Sequence, residues 1–487
     1  MIRKRWVVLA ALAWLPAVAG SALAGRCATS RHEGQQGRFT LPPPAPRGAG
    51  ITAHRSAAPV PVGNASAYVT EHFRVLWGDG FDADDPHWQD PNDTGVPTWV
   101  ETIGEALESA YDVQTGLGFP GPYGVDTYFI DAYVGNTGVV ADGQVITIGS
   151  SYYAYTEIDG DYAVAFFVFN DDFSRHTNDE LGVLRATAAH ELFHAVQRAM
   201  GYPWDDEVLI PNARWNREGW WLEASATWLE EITEPEVNDY VGYVQSFLSF
   251  PQLSLDSLDG LREYGAAIFA GYLWQLHGGA GLIRTVYENA YSKQLEGAMR
   301  GAIAAQGGGE LEDVVARFWA RAANPGADVW PDAARFGRPP WLASSWSLPV
   351  TAYPTGTAGP QRFGANLIRV PAADLPAPVG MDWSDPAASW RIAVADGSAS
   401  GAEVVSPVAG VAGEVNGSGV GTWAYLAIVN VTASNGAQTF VVEVGDDGLI
   451  NDGVQWREGD GSGGPAPTSG GGGGGCFLGS LGCRTTR

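Results

Sequence analysis

Residues 189–195 read Ala-His-Glu-Leu-Phe-His-Ala, so His190 and His194 stand four positions apart with Glu191 beside the first. On a helix, positions i and i+4 share one face about 6 Å apart, so both imidazoles can reach one ion at about 2.0–2.1 Å. Glu191 then leans over a water bound next to them, which is the arrangement of a zinc hydrolase. With eight histidines in 487 residues, chance supplies such a pair in about one chain in a hundred or fewer. A catalytic zinc needs a third protein ligand and an open fourth position. The continuation HExxHxxGxxH is missing, because Gln197 and Met200 occupy those places, so the third ligand must come from another element.

The elements that must position this pair follow from the periodicity around it. A helix is expected over 181–200, a second over 220–232 and a third over 264–276, stopped by Gly278-Gly279. Amphipathic stretches continue to Arg321. The second helix lies in a carboxylate-rich run, 217–231, with Glu218, Glu223 and Glu230 as acids that could serve the pair. Glu230 falls seven residues after Glu223, on nearly the same helix face, where it can accept a hydrogen bond from His190 or His194 or simply face solvent. Upstream, strands are expected at 69–76, 125–132, 144–148 and 163–169, with a helix over 97–111. From residue 341 the texture changes to short β runs at 366–370, 390–395, 422–431 and 439–444, spaced as in a β-sandwich.

The segment HELFHAVQ followed by WWLEASATWLEE resembles the gluzincin zinc metalloproteases, and within them a group of secreted bacterial metalloproteases. The resemblance covers roughly residues 69–321. It implies a thermolysin-like α+β catalytic domain, with a β-sheet part first and a helical part second. It also implies a Glu-x-x-Ala ligand motif, matched by Glu223-Ala224-Ser225-Ala226, whereas Glu218-Gly219-Trp220-Trp221 has a bulky residue where the small one belongs. Zinc ligands are therefore expected at His190, His194 and Glu223, with Ala226 letting the second helix approach the first. By the same resemblance Glu191 is the general base, and Tyr264 donates to the oxyanion. His277 is the competing donor, although its place before Gly278-Gly279 suits a helix end. His72, His87 and His176 have no ligand-like spacing.

A second cation is weighed at residues 90–101, where Asp90, Asn92, Thr94 and Glu101 hold positions 1, 3, 5 and 12 of a calcium-type loop with Gly95 at position 6. The alternative is a polar turn capping the helix that opens with Pro97.

The whole chain sets the context. Arg3, Lys4 and Arg5, an apolar run over 6–19 and Ala22-Leu23-Ala24 have the order of a removable signal peptide, 1–24. Residues 25–65 are expected to be a linker or pro-segment, 66–335 a zinc metallopeptidase domain and 341–450 a β-sandwich domain. The remaining 459–487 form a Gly-rich tail with a cysteine pair. Three cysteines, Cys27, Cys476 and Cys483, leave the core free of disulfides. The tail resembles Gly-Cys sorting signals of exported bacterial proteins but lacks their hydrophobic span. A formal charge of −27 argues against nucleic acid and anionic lipid as partners. No run after the signal peptide is long and apolar enough to span a membrane. The expected function is an exported zinc-dependent endopeptidase acting on protein or peptide. The rivals are an inactive surface or binding protein working through its β-domain, and a zinc hydrolase of a non-peptide bond.

Overall fold

The computed structural model describes residues 65–445 apart from 142, 160–162, 203–212, 291, 356–357, 396–402, 406–412, 417–421 and 434–435. It adds two short strands at Arg26–Cys27 and Val60–Val62. The expected signal peptide, most of the 25–65 stretch and the Gly/Cys tail lie outside the described residues.

The first part contains β1 (Arg26–Cys27), β2 (Val60–Val62), β3 (Ala65–Val69), β4 (Phe73–Trp77), α1 (Thr98–Gly116), β5 (Ile130–Val134), β6 (Val140–Ala141), β7 (Gln144–Val145), β8 (Tyr152–Ile158) and β9 (Ala165–Phe169). Seven of these strands form a mixed sheet in the order β1-β8-β9-β5-β4-β3-β2. β4, β5 and β9 run parallel at its centre, and α1 makes the crossover that a parallel β4–β5 pair requires. Side-chain alternation sorts the sheet into two faces. Phe167 and Phe169 join Phe73, Val75 and Ala132 under α1, while Phe166 and Val168 meet Tyr133, Ile146 and Ile148 on the other side.

Three strand expectations are corrected here. Residues 69–76 are not one strand but the turn and arms of the β3–β4 hairpin, broken at the polar Thr70-Glu71-His72. The strand expected over 125–132 begins only at Ile130, because the preceding residues turn around Gly121, Pro122 and Gly124. The strand expected over 144–148 is reduced to the two residues of β7.

The central part is helical: α2 (Glu180–Ala199), α3 (Ala213–Thr233), α4 (Val241–Ser249), α5 (Arg262–Gly265), α6 (Ala267–His277), α7 (Gly279–Ala290), α8 (Leu295–Ala305) and α9 (Leu311–Ala322). The helix expected over 264–276 is thus split at Ala266, which leaves Tyr264 on the short α5. α2 lies between two cores. Leu184, Ala188 and Leu192 pack with the sheet, while Phe193 and Val196 pack with the later helices. Each such fully buried large side chain contributes about 1.5–3 kcal/mol of transfer free energy.

The last part is β10 (Ala343–Ser344), β11 (Val350–Ala352), β12 (Ala365–Pro371), β13 (Ala377–Trp383), β14 (Trp390–Ala395), β15 (Glu403–Val405), β16 (Gly413–Val415), β17 (Trp423–Asn430) and β18 (Phe440–Val444). Two sheets, β10-β12-β17-β14-β15 and β11-β18-β13-β16, share one apolar core. Ile368, Val370, Leu426 and Ile428 face that core, while Leu367, Ala427 and Val429 point the opposite way into the helical core beside α9. The larger sheet is therefore buried on both faces, and the helices and β sheets are packed as neighbours. The architecture is mixed α+β in the order sheet, helices, sheets. Among the described residues no helix is long and apolar enough to cross a membrane.

Candidate metal centre

α2 is capped by Asp179, whose side chain accepts from the Gly182 amide at 3.1 Å, with Glu180 in the first turn and Arg198 in the last. These charges complement the helix dipole and fix the start of the helix, and with it the phase of its faces. His190 and His194 lie on the face turned toward α3, where Glu223 meets them. α3 is itself pressed between α2 and α6. Gly271 of α6 makes room for the Trp228 indole, and a Cβ there would sit 2.7 Å from the ring.

The three side chains converge on one point. His190 Nε2 is 3.0 Å from Glu223 Oε2 and 3.0 Å from His194 Nε2, and His194 Nε2 is 3.6 Å from Glu223 Oε2. Ligand atoms bound tetrahedrally at 2.0–2.1 Å lie about 3.3 Å from one another, so these edges bracket the triangle that a zinc ion needs. Among the described residues this is the group of three or more His, Cys, Asp or Glu side chains whose ligand atoms are close enough to hold one ion.

The partners of the two Nδ1 atoms support a cation. His190 Nδ1 is 2.5 Å from Glu230 Oε1, and His194 Nδ1 is 2.9 Å from Gln197 Oε1. Both acceptors are oxygens, so each imidazole in its neutral form carries its proton on Nδ1. Its Nε2 then holds a lone pair. Two such lone pairs and a carboxylate oxygen pointing at one buried volume repel one another, and a dication turns that repulsion into bonding. The residues present fit a metal ion of the zinc type.

The charge balance has the same sign. Glu191 is fully buried, Glu223 and Glu263 are each 2% exposed, and Glu230 and Asp239 are close by. Burial pushes the Glu230 carboxyl up, and burial with the Glu230 charge pushes Asp239 up to about 7. Burial likewise raises Glu263 to about 7. Burial would raise Glu223 as well, but protonated imidazoles at His194 and His190, through their charges and hydrogen bonds, hold it down at about 2, so the carboxylate demands positive charge beside it, which a dication supplies when both rings are neutral.

Glu191 follows His190 and turns toward the sheet, where its Oε2 accepts from Thr156 Oγ1 at 2.6 Å. The same hydroxyl lies 2.9 Å from the Glu191 carbonyl. Thr156 is on β8, a strand that the sequence reading missed. Tyr264, 6% exposed, lies beside the centre, its ring 6.1 Å from that of His190 and 5.1 Å from that of Tyr243.

The rival residues are engaged elsewhere. Glu218 accepts from Tyr202 Oη at 2.8 Å and from the Leu295 amide at 2.9 Å, tying α3 to the start of α8. His277 ends α6 beside Tyr272 and Gly308. His72 is paired with Glu108 at 2.7 Å and stacked on Tyr111, and His176 bonds the Ser150 carbonyl. His87 lies 3.7 Å from Glu180.

In the 90–101 loop, Asp90 Oδ1 accepts from the Thr94 amide and Oδ2 from the Gly95 amide, while Asn92 Nδ2 donates to both oxygens of Glu101. Thr94 Oγ1 has Asp90, Asn92 and Glu101 oxygens within 3.3 Å and the Val96 carbonyl at 3.5 Å. The amide bonds hold Asp90 below its usual carboxylate range, against burial.

Sequence reasoning assigned no role to Thr156 or Gln197. In the sequence Gln197 stands out only as a departure from HExxHxxGxxH, yet its place three residues after His194 puts it on the same helix face. Thr156 carried no local signal, since its partner is 35 residues away on another element. No family model matches the chain, and no curated protein matches it.

Proposed function

We propose that this protein is an exported zinc-dependent endopeptidase with a thermolysin-like catalytic domain over 66–335 and a β-sandwich domain over 341–450. The observation that carries the reading is the convergence of His190 Nε2, His194 Nε2 and Glu223 Oε2 on one buried point, beside the buried carboxylate of Glu191 and with oxygens of Glu230 and Gln197 behind the two Nδ1 atoms. His190, His194 and Glu223 would hold the ion. When bound, zinc supplies Lewis acidity, bringing the pKa of a water to about 7 and polarising a scissile carbonyl.

The chain's own groups do the rest. Glu191, oriented by Thr156, takes the proton of the attacking water and returns it to the leaving amine. Tyr264, close to His190, donates to the oxygen that gains charge. Protein or peptide is the substrate, and the order of basic, apolar and small residues over 1–24 supports export.

A second reading is favoured by burial. His190, Glu191, His194 and Glu223 are each at most 2% exposed, as suits an ion held for structure rather than turnover. One experiment separates the two: zinc content, and hydrolysis of an unstructured protein, for the wild type and Glu191→Gln. The endopeptidase requires about one zinc in both and a rate that falls by about 10²–10⁴-fold in the variant, because the base is not a ligand. Zinc in both with an inert wild type would establish the structural ion, and folded, zinc-free wild type would sink both.

Calcium at Asp90, Asn92, Thr94 and Glu101 is a separate proposal. It is supported by the crowding of four oxygens about Thr94 Oγ1, more than one hydroxyl proton can serve.

A further inference from the structure

The two imidazoles are held from behind by different chemistry. His190 donates to a carboxylate, Glu230, whereas His194 donates to the side-chain amide of Gln197. An amide offers either an oxygen or an NH₂ group to its neighbour, so it fixes a tautomer only if something fixes the amide.

The surroundings of Gln197 do so. Its Nε2 lies 2.9 Å from the Leu222 carbonyl, 3.1 Å from Tyr287 Oη and 3.2 Å from Ser225 Oγ, and all four residues are fully buried. The Leu222 carbonyl can only accept, so the NH₂ group must face it and the oxygen must face His194. The hydroxyls extend the same direction. Tyr287 Oη is 2.6 Å from Ser225 Oγ, and Ser225 Oγ donates to the Trp221 carbonyl at 2.8 Å. One donor sequence therefore runs His194, Gln197, Tyr287, Ser225 and ends on the Trp221 backbone. Reversing the amide would set oxygen against oxygen at 2.9 Å from the Leu222 carbonyl.

We propose that Gln197 is a positioning residue of the metal centre, locked by Leu222, Tyr287 and Ser225 so that His194 presents its Nε2 lone pair to the ion. This rests on the reading that the centre binds zinc. Neutrality matters too. A carboxylate at position 197 would add a negative charge to a volume that already holds Glu191, Glu223 and Glu230, while the amide supplies the same acceptor without it.

The test compares zinc affinity by chelator competition, the absorption spectrum of the cobalt(II)-loaded protein, and the metal-free unfolding midpoint. The proteins are the wild type, Gln197→Met and Gln197→Glu. Methionine keeps the volume and loses the acceptor; its affinity is expected to fall about 10–100-fold with a changed cobalt spectrum. Glutamate keeps an acceptor oxygen toward His194 and, protonated on the oxygen that faces the Leu222 carbonyl, stays neutral and is expected to recover most of that loss. Nitrogen-15 NMR of the metal-free wild type, with the His194 signal assigned through His194→Ala, is expected to show the Nδ1-protonated tautomer.

Unchanged affinity and spectrum in Gln197→Met would overturn the proposal. So would equal losses in Met and Glu, which would mark a packing role, and so would an Nε2-protonated His194 in the wild type. The NMR result decides the matter even if the methionine variant does not fold. A wild type that binds no zinc overturns the metal reading instead, a result distinct from each of these.

Discussion

The candidate metal centre and the loop of residues 90–101 both bring donor atoms within about 3.6 Å of one another, but their hydrogen-bond partners are arranged in opposite ways. In the loop the acids are met by donors from within the same twelve residues: amides of Thr94 and Gly95 on Asp90, and the Asn92 amide on Glu101. In the centre the two Nδ1 atoms face oxygens of Glu230 and Gln197, so neutral imidazoles direct their protons outward and aim both Nε2 atoms, with Glu223 Oε2, at one point. Acidity alone therefore does not distinguish a metal site. The distinguishing feature is the convergence of acceptor atoms from two helices on one buried point.

The contrast also sets the scale of each ion's effect. A site assembled from α2 and α3 exists only in the folded chain, so an ion bound there adds its binding free energy to folding. The largest expected effect is accordingly at Glu223. Glu223→Ala should abolish zinc retention, a loss of at least about 10³-fold in affinity, and remove the zinc-dependent rise of the unfolding midpoint. In the wild type that rise corresponds to about 4 kcal/mol at free zinc 1,000 times Kd. Glu218→Ala should behave differently, lowering the midpoint through the lost Tyr202 and Leu295 bonds while keeping zinc. Zinc content and calorimetry of the two variants decide which glutamate is the ligand; retention by Glu223→Ala and loss by Glu218→Ala would reverse the assignment.

The next effect in size concerns the Glu230 bond behind His190. Glu230→Ala removes the acceptor and leaves the Nδ1 proton of His190 unsatisfied, so zinc affinity should fall about 10–100-fold. Glu230→Gln, which keeps an oxygen there, should fall less. Chelator competition measures both, and equal affinities in wild type and Glu230→Ala would show that the proton distribution does not govern the centre.

How much of this was legible depends on how local each relation is. The pair His190 and His194, the extent of α2 and the β12, β14, β17 and β18 strands follow from periodicities within single elements, and the structure places them within a few residues of expectation. Glu223 entered through a motif, Glu-x-x-Ala, rather than through spacing from the histidines. β13 was missed because Pro378 and Gly380 interrupt its alternation, although both are accommodated in the sheet. Tyr287 lies 90 residues from Gln197, and no local pattern announces a bond between α7 and α2. Helix packing likewise covers the outer face of the sheet containing β12 and β17. The sequence suggests a free-standing sandwich, but Leu367, Ala427 and Val429 are buried against helices.

The smallest expected effect belongs to the loop, and it tests the comparison from the other side. Because Asp90 and Glu101 already have protein donors, calcium must displace the Asn92 amide from Glu101 and compete with the bonds from Thr94. Its net contribution is therefore smaller than that of zinc, with a rise of about 1–2 °C in the unfolding midpoint at millimolar calcium. Asp90→Asn should abolish that rise. It should also lower the midpoint slightly without calcium, since Asp90 carries the bonds to the Thr94 and Gly95 amides ahead of α1. Thermal scans of zinc-loaded protein with and without calcium provide the measurement. No calcium-dependent shift would leave the loop as a self-satisfied turn, whereas a shift as large as that of zinc would show that hydrogen-bonded acids bind a cation as strongly as proton-starved ones, and the comparison would fail.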